Sequence, residues 1–523
     1  MKRTFQVVAI SSVLTLWTVF TSYACTSIVV GKKASKDGSV LFGHNEDDSG
    51  RRVVNAWFVP RMKHQPEEVV RLFGGGEIPQ SEETWAFLWF QVNGLKFSDY
   101  YINEWGVNVG SDACPSREDK PELTDGGIGF MLRRIIAERA KTAREGVEIA
   151  GDLLDRFGYG SSGRTLVICD PNEGWILSIV AGKHWVAQRV PDDGVVVLPN
   201  TYVVRQVDFN DSANFITSAD NVRDYAVRRG WYDPDSGEPF DFAYAYMEVP
   251  ELESKLLKRG YDTRQWRGQQ LLTGKTVSVG EARERGLPFA VKPDRKLTVQ
   301  DVMTVLRDHY EGTEYGPVRE EQIVPLSLSK ERPGSTGLPR EILVNPNRTT
   351  ERTICTRTTQ FSTVAQLRSW LPVSIGAVIW TSFGRPDCNV YVPWYAGITK
   401  IPEGFSNTSG VTCPVEALKH HLDPVPGTFD YNPTAAFWIF NDLENLVDAH
   451  YPYAVEEVAP VWESFEERVF GLQESVEQSA HHLWRKDPDR ARQYLTEFTI
   501  SLAHETLRTA KELIGRLKTK FYR

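Results

Sequence analysis

Cysteine is scarce in this chain: there are six in 523 residues, at 25, 114, 169, 355, 388 and 413, with no C-x-x-C spacing. That excludes a disulfide-framework scaffold and a zinc ribbon. Long apolar runs are lacking too. The one from Phe5 to Phe20 is broken by Gln6, Ser11, Ser12, Thr15 and Thr18, and no segment reads as a membrane span. Nor is there a basic run. Lys and Arg total 60 against 69 Asp and Glu, for a net charge of −9, so no nucleic-acid partner is expected. The absence of a phosphate-binding loop, a dinucleotide fingerprint and a Gly-x-Ser-x-Gly leaves no cofactor and no serine nucleophile to expect. The ten His are scattered, and the pairs His420-His421 and His481-His482 lack helical ligand spacing, so no metal is expected. What is present is 41% hydrophobic and 25% charged, a globular composition large enough for an extended core.

The start of the chain has the pattern of a secretory leader. Lys2 and Arg3 precede the interrupted apolar run, which ends in Ser22-Tyr23-Ala24, with small residues at both cleavage-reading positions. Residues 1–24 therefore read as a signal peptide, with signal peptidase as a maturation partner and a secreted or periplasmic location. Cleavage would make Cys25 the new N-terminus. A lipoprotein signal also puts Cys directly after its cut, but Ser22 and Tyr23 fit that signal poorly. With Cys25 held back as a free thiol, Cys388 and Cys413 are the expected disulfide pair.

The mature chain starts as a hairpin, Thr26 to Val30 and Val40-Leu41-Phe42, around the turn Lys36-Asp37-Gly38-Ser39. Strands follow at Val53 to Val59, Trp85 to Val92, Tyr100 to Ile102 and Val107 to Val109. Next comes a helix with Leu132, Ile135 and Ile136 on one face, and a second opened by Thr142 and Glu145 as a capping box. Strands return at Thr165 to Ile168, Trp175 to Val180 and Val195 to Leu198. A helical stretch spans about 213–312, with a second box at Thr298 and Asp301. A further sheet block covers Thr353 to Leu367 and Ala377 to Val392, and Lys330 to Thr350 reads as a surface loop. Beyond about 455 the periodicity is helical and breaks at Asp487-Pro488, which predicts a C-terminal hairpin. The order predicts a layered α+β fold. Residues 25–430 read as the catalytic domain and 431–523 as a helical extension packed on it or serving as a dimerisation arm. A homo-oligomer stays open.

An N-terminal Cys combines a thiol of reference pKa ~8.5 with an α-amine near ~7.7–8, so nucleophile and base arrive on one residue. Around it, Cys25-Thr26-Ser27-Ile28-Val29-Val30-Gly31, Asp37-Gly38-Ser39 and Phe42-Gly43-His44-Asn45-Glu46-Asp47 resemble the opening of the dipeptidase family of N-terminal-nucleophile cysteine hydrolases. That family is related to secernins and distantly to penicillin V acylases and bile-salt hydrolases. Asp170-Pro171-Asn172-Glu173-Gly174-Trp175, Arg229-Gly230-Trp231-Tyr232-Asp233-Pro234 and Pro393-Trp394-Tyr395-Ala396-Gly397-Ile398 continue the resemblance over nearly the whole mature chain.

The resemblance implies an αββα sandwich and hydrolysis of dipeptides or short peptides through a thioester. It makes Cys25 the nucleophile, Asp47 the carboxylate that holds the α-amine, and Asn200 a side-chain donor to the oxyanion. His44 stands where the related acylases have Arg. Arg357 is a candidate second cation beside the thiol or a surface strand residue. Binding a dipeptide needs a carboxylate for its free amine, for which Glu46, Asp48 and Asp112 are candidates. Two other readings stay open. One is an N-acyl amidase with the same mechanism; the other is a non-enzymatic binding protein lipid-anchored at Cys25.

Overall fold

Alternating apolar strands assemble two antiparallel sheets. The computed structural model describes residues 25–48, 52–248, 263–316 apart from 276, 279, 283–285 and 314, then 352–406, 411, 413–451 and 453–522. The leader at 1–24 and the loop at 330–350 lie outside the described residues.

The strands of the main sheets are β1 (Thr26–Val30), β2 (Val40–Asp47), β3 (Val54–Val59), β4 (Phe87–Val92), β5 (Tyr100–Asn103), β6 (Asn108–Ala113), β7 (Tyr159–Cys169), β8 (Gly174–Gly182), β9 (Trp185–Arg189), β10 (Val195–Leu198), β11 (Phe215–Thr217), β12 (Thr359–Leu367), β13 (Ala377–Phe383) and β14 (Val392–Tyr395). One sheet runs β10-β1-β2-β12-β13-β14, the other β11-β9-β8-β7-β6-β5-β4-β3. The period of two along a strand divides the second sheet between two cores. Val167, Ile176 and Val180 join Ile28 and Phe42 between the sheets, whereas Leu166, Ile168, Trp175 and Leu177 face the other way.

That outer face is covered by α1 (Met131–Arg139) and α2 (Ala143–Phe157), which supply Ile135, Ile136, Val147 and Leu154 to the second core. Only half of the expected capping box forms. Thr142 accepts from the backbone N–H of Glu145, but the Glu145 carboxylate accepts from Lys141 instead of returning to Thr142. On the first sheet lie α3 (Thr263–Thr273) over β10 and α4 (Val299–Leu306) over β2, the latter with its full Thr298/Asp301 box. Gly43 permits the second contact, because a Cβ there would stand 2.4 Å from Val302 Cγ1.

Three more helices complete this layer: α5 (Ala436–His450), α6 (Tyr453–Trp484) and α7 (Pro488–Phe521). Asp487 caps α7 and Pro488 occupies its first turn, which makes α6 and α7 the expected hairpin. Phe470 stacks on Trp380 at 4.0 Å, and Thr499 donates to the carbonyl of Pro393, so the hairpin sits directly on β13 and β14. The architecture is an αββα sandwich with a C-terminal helical hairpin.

Two expectations need correction. The stretch 213–312 is not continuously helical. Among its described residues it holds β11, a short helix Val222–Arg228 capped by Asn221, another at Phe242–Tyr246, then α3 and α4. Asp, Asn and Gly between them supply caps and turns that a broad periodicity reading smooths over. The pair Cys388–Cys413 does not form, and both thiols are free. Cys388 is buried and accepts from Arg385 at 3.3 Å, whereas Cys413 is the N-cap residue of the helix Pro414–Lys419, which packs on β3.

Candidate active site

Cys25 immediately precedes β1 and is 3% exposed. The β1–β2 register pairs Thr26 with Asn45 and Ser27 with His44, so His44 and Glu46 fall beside the start of β1. The Cys25 Sγ lies 3.1 Å from Glu46 Oε1 and 4.0 Å from the carbonyl oxygen of Asp47. It forms part of a cleft of about 360 Å³ that Glu46, Asp48, Ser98, Phe97 and Arg164 also line.

A single hydrogen-bonded chain runs from Asp112 to the thiol. Ser27 donates its hydroxyl proton to Asp112 Oδ2 at 2.6 Å, so it must accept from His44 Nδ1 at 2.8 Å. A neutral His44 then has an unprotonated Nε2 facing Glu46 Oε2 at 3.1 Å, and the proton between them belongs to the carboxyl. Burial drives both groups to this state. It lowers the His44 pKa, and it raises that of Glu46 to about 7. Glu46 Oε1 remains free to accept from the Cys25 thiol. The thiol itself is pushed well up, by burial first and then by its carboxylate neighbours, Glu46 whenever it ionises, then Asp112 and Asp47. At rest it is therefore a neutral S–H donor.

Cations surround this chain. Arg264 on α3, 2% exposed, donates to the Cys25 carbonyl at 2.8 Å and to Thr26 Oγ1 at 3.3 Å. Arg164 reaches Ser111 Oγ at 3.0 Å and covers the Phe97 ring. Asp47 is held by Arg352 at 3.0 Å and by the hydroxyl of Thr359.

The structure brings Cys25, His44, Glu46, Asp112 and Asp47 together. His44 lies in this cluster, and its hydrogen bonds need no charge. Glu46 and Asp112, expected as anchors for a substrate amine, are instead occupied within the chain; Asp48, which accepts from Ser98 at 3.2 Å, lines the cleft. Asn200 follows β10, which pairs with β1 through Leu198 and Ser27, so it is level with Cys25. One of its amide N–H groups is tied to the Ala113 carbonyl at 2.9 Å. Arg357 is not at the thiol. It is exposed and lines a different cavity, of about 570 Å³, beside α5. Instead, Arg264 holds the Cys25 carbonyl and Arg164 lines the cleft with the thiol, and the sequence carries no signal for either. Arg264 arrives from a helix that nothing near Cys25 announces, and Arg164 from the far sheet. One ligand atom each from Cys25, His44 and Glu46 lies within 4.8 Å of the others, a spacing that a thiophilic ion could bridge.

The sequence matches peptidase family C69 over residues 24–464. A probable dipeptidase of Latilactobacillus sakei is 28% identical over 443 residues, covering 82% of this chain and 82% of that protein. Probable dipeptidase B of Lactococcus lactis subsp. lactis (strain IL1403) is 26% identical over 505 residues, covering 94% and 95%. A mutant conjugated bile acid hydrolase from Clostridium perfringens aligns at a TM-score of 0.32 and 12% identity, over 71% of this chain and 92% of that one. The chain belongs to peptidase family C69 and is a cysteine-type peptidase, a hydrolase of peptide bonds.

Proposed function

We propose that this peptidase is a dipeptidase whose nucleophile is the sulfur of an N-terminal Cys25, exposed when residues 1–24 are removed in a secreted or periplasmic setting. The observation that carries the reading is the position of Sγ. It lies against the cleft at the start of β1, with its own carbonyl fixed by Arg264 and a proton acceptor, Glu46 Oε1, 3.1 Å away.

A buried, neutral thiol has to lose its proton as it attacks. The freed α-amine, carried on the same residue, takes that proton while Sγ adds to the substrate carbonyl carbon. The oxyanion is met by the second N–H of Asn200 and by neighbouring backbone N–H groups. Such donors are worth on the order of 3 kcal/mol in other acyl-transfer enzymes. The leaving amine collects the proton, and water then cleaves the thioester. A substrate of two residues presents a free amine to Asp48 and a free carboxylate to Lys96, both lining the cleft.

The test has two parts. Intact mass of the mature protein should begin at an unmodified Cys25, whereas a diacylglyceryl adduct would make Cys25 an anchor. A panel of dipeptides against N-acyl amino acids should show turnover of the dipeptides. Turnover confined to the acyl compounds would replace the dipeptidase reading with an amidase.

A further inference from the structure

Outside the Cys25 cleft, a second set of ligand-type atoms converges. His309, Cys355 and Asp387 each offer one within 4.8 Å of the others. All three side chains are buried: His309 is 2% exposed, Cys355 0%, and the Asp387 side chain 6%. His309 Nε2 and Asp387 Oδ2 face each other at 3.5 Å, and neither makes a hydrogen bond. At that distance they are an ion pair if the imidazole is protonated, but with Nε2 unprotonated they are two buried acceptors face to face, which is costly unless a cation sits between them. Ligands at ~2.0–2.1 Å from a tetrahedral ion stand roughly 3.3–3.4 Å apart.

We infer that His309, Cys355 and Asp387 form a structural site for a zinc-type divalent cation, with a water as the fourth ligand. The donor set is imidazole, thiolate and carboxylate, which suits zinc and does not suit calcium or magnesium. The surrounding groups orient the ligands as metal sites require. His309 Nδ1 is 3.1 Å from Glu311 Oε1, which fixes the tautomer with Nε2 unprotonated, and Asp387 Oδ1 accepts from Arg385 at 2.9 Å. Arg385 would repel a dication if it were unbalanced, but its guanidinium also reaches Asp448. On binding, the Cys355 thiol releases its proton to solvent, and the two anionic ligands neutralise the ion.

The backbone is already shaped around the three residues. Tyr310, next to His309, has a φ of +68°, rare for a residue with a side chain, and its hydroxyl donates to the Arg352 carbonyl. The backbone N–H of Cys355 is held by the Asp308 carbonyl at 3.0 Å. The ion would therefore staple the segment Arg352–Cys355, from which Arg352 reaches Asp47.

The experiment uses the mature Cys25→Ala protein, because that change removes the only other such cluster among the described residues. After exhaustive chelation and reloading with Co²⁺, it should bind one ion per chain and show a sulfur-to-cobalt charge-transfer band. His309→Gln in the same background, with folding checked by circular dichroism, should lose at least nine-tenths of that band, and Zn²⁺ should raise the melting temperature of the parent alone. A folded Cys25→Ala protein with no bound ion overturns the inference. So does a band that survives His309→Gln.

Discussion

At the scale of single residues, the relay from Asp112 to Cys25 makes unlike predictions for its members. Cys25→Ala should lower kcat/KM on a dipeptide by at least about 10³-fold with circular dichroism unchanged, and Cys25→Ser should recover little of the loss, because a hydroxyl is harder to deprotonate. Glu46→Gln is more discriminating. A glutamine there can donate to His44 Nε2 and accept from the thiol, which reproduces the protonated carboxyl and blocks ionisation. The raised pKa of Glu46, about 7, means that the folded chain holds this proton longer than the unfolded one, whose pKa is near 4.5. Its contribution to stability is therefore fully present below pH 4.5 and is lost as pH rises through 7, a change on the order of 3 kcal/mol. Denaturation of wild type and Glu46→Gln at pH 5 and pH 8 should show the variant gaining on wild type at the higher pH. Equal differences at both would show that Glu46 titrates normally. Activity on a dipeptide should rise with pH through the titration of the α-amine, and a flat profile from pH 5 to 9 would remove that amine as the base.

At the scale of elements, β2, which carries His44 and Glu46, is held from behind. α4 meets it at Gly43, where a methyl would collide with Val302. Gly43→Ala should cost about 1–3 kcal/mol in urea unfolding, and the double variant with Val302→Ala should recover part of it. β1 and β2 were legible in the sequence because alternation, the Asp37-Gly38 turn and the run into Glu46-Asp47 all lie within one short segment. Asn200 was singled out, as an oxyanion donor, only through the resemblance, since β10 lies far along the chain from β1. The helices between 213 and 312 were blurred by caps and turns. Of the two readings open for Arg357, the structure has the exposed one, just ahead of β12; the local pattern does not say which way a side chain turns there. Arg264, Arg164 and the relay through Ser27 depend on packing between layers, which a local pattern does not encode.

At the scale of the whole molecule, the C-terminal hairpin is tied to the sandwich by two ion pairs, the Arg368–Glu477 pair buried. Arg368, 6% exposed, makes two hydrogen bonds to Glu477 of α6, and Arg307 makes two to Glu466. Glu477→Ala leaves the Arg368 charge buried without its partner and should cost about 3–5 kcal/mol, read as a shift in denaturation midpoint; Glu477→Gln should cost less. β7 and β8 carry a different constraint. Odd and even positions along them fill separate interiors, with Val167 on one side and Leu166 and Ile168 on the other. Inserting one amino acid mid-strand would invert every later side chain and spoil both interiors at once, whereas replacing one disturbs a single neighbourhood. Length changes in this lineage should therefore collect at the strand ends and in the connections, and the central ribbons should keep their count.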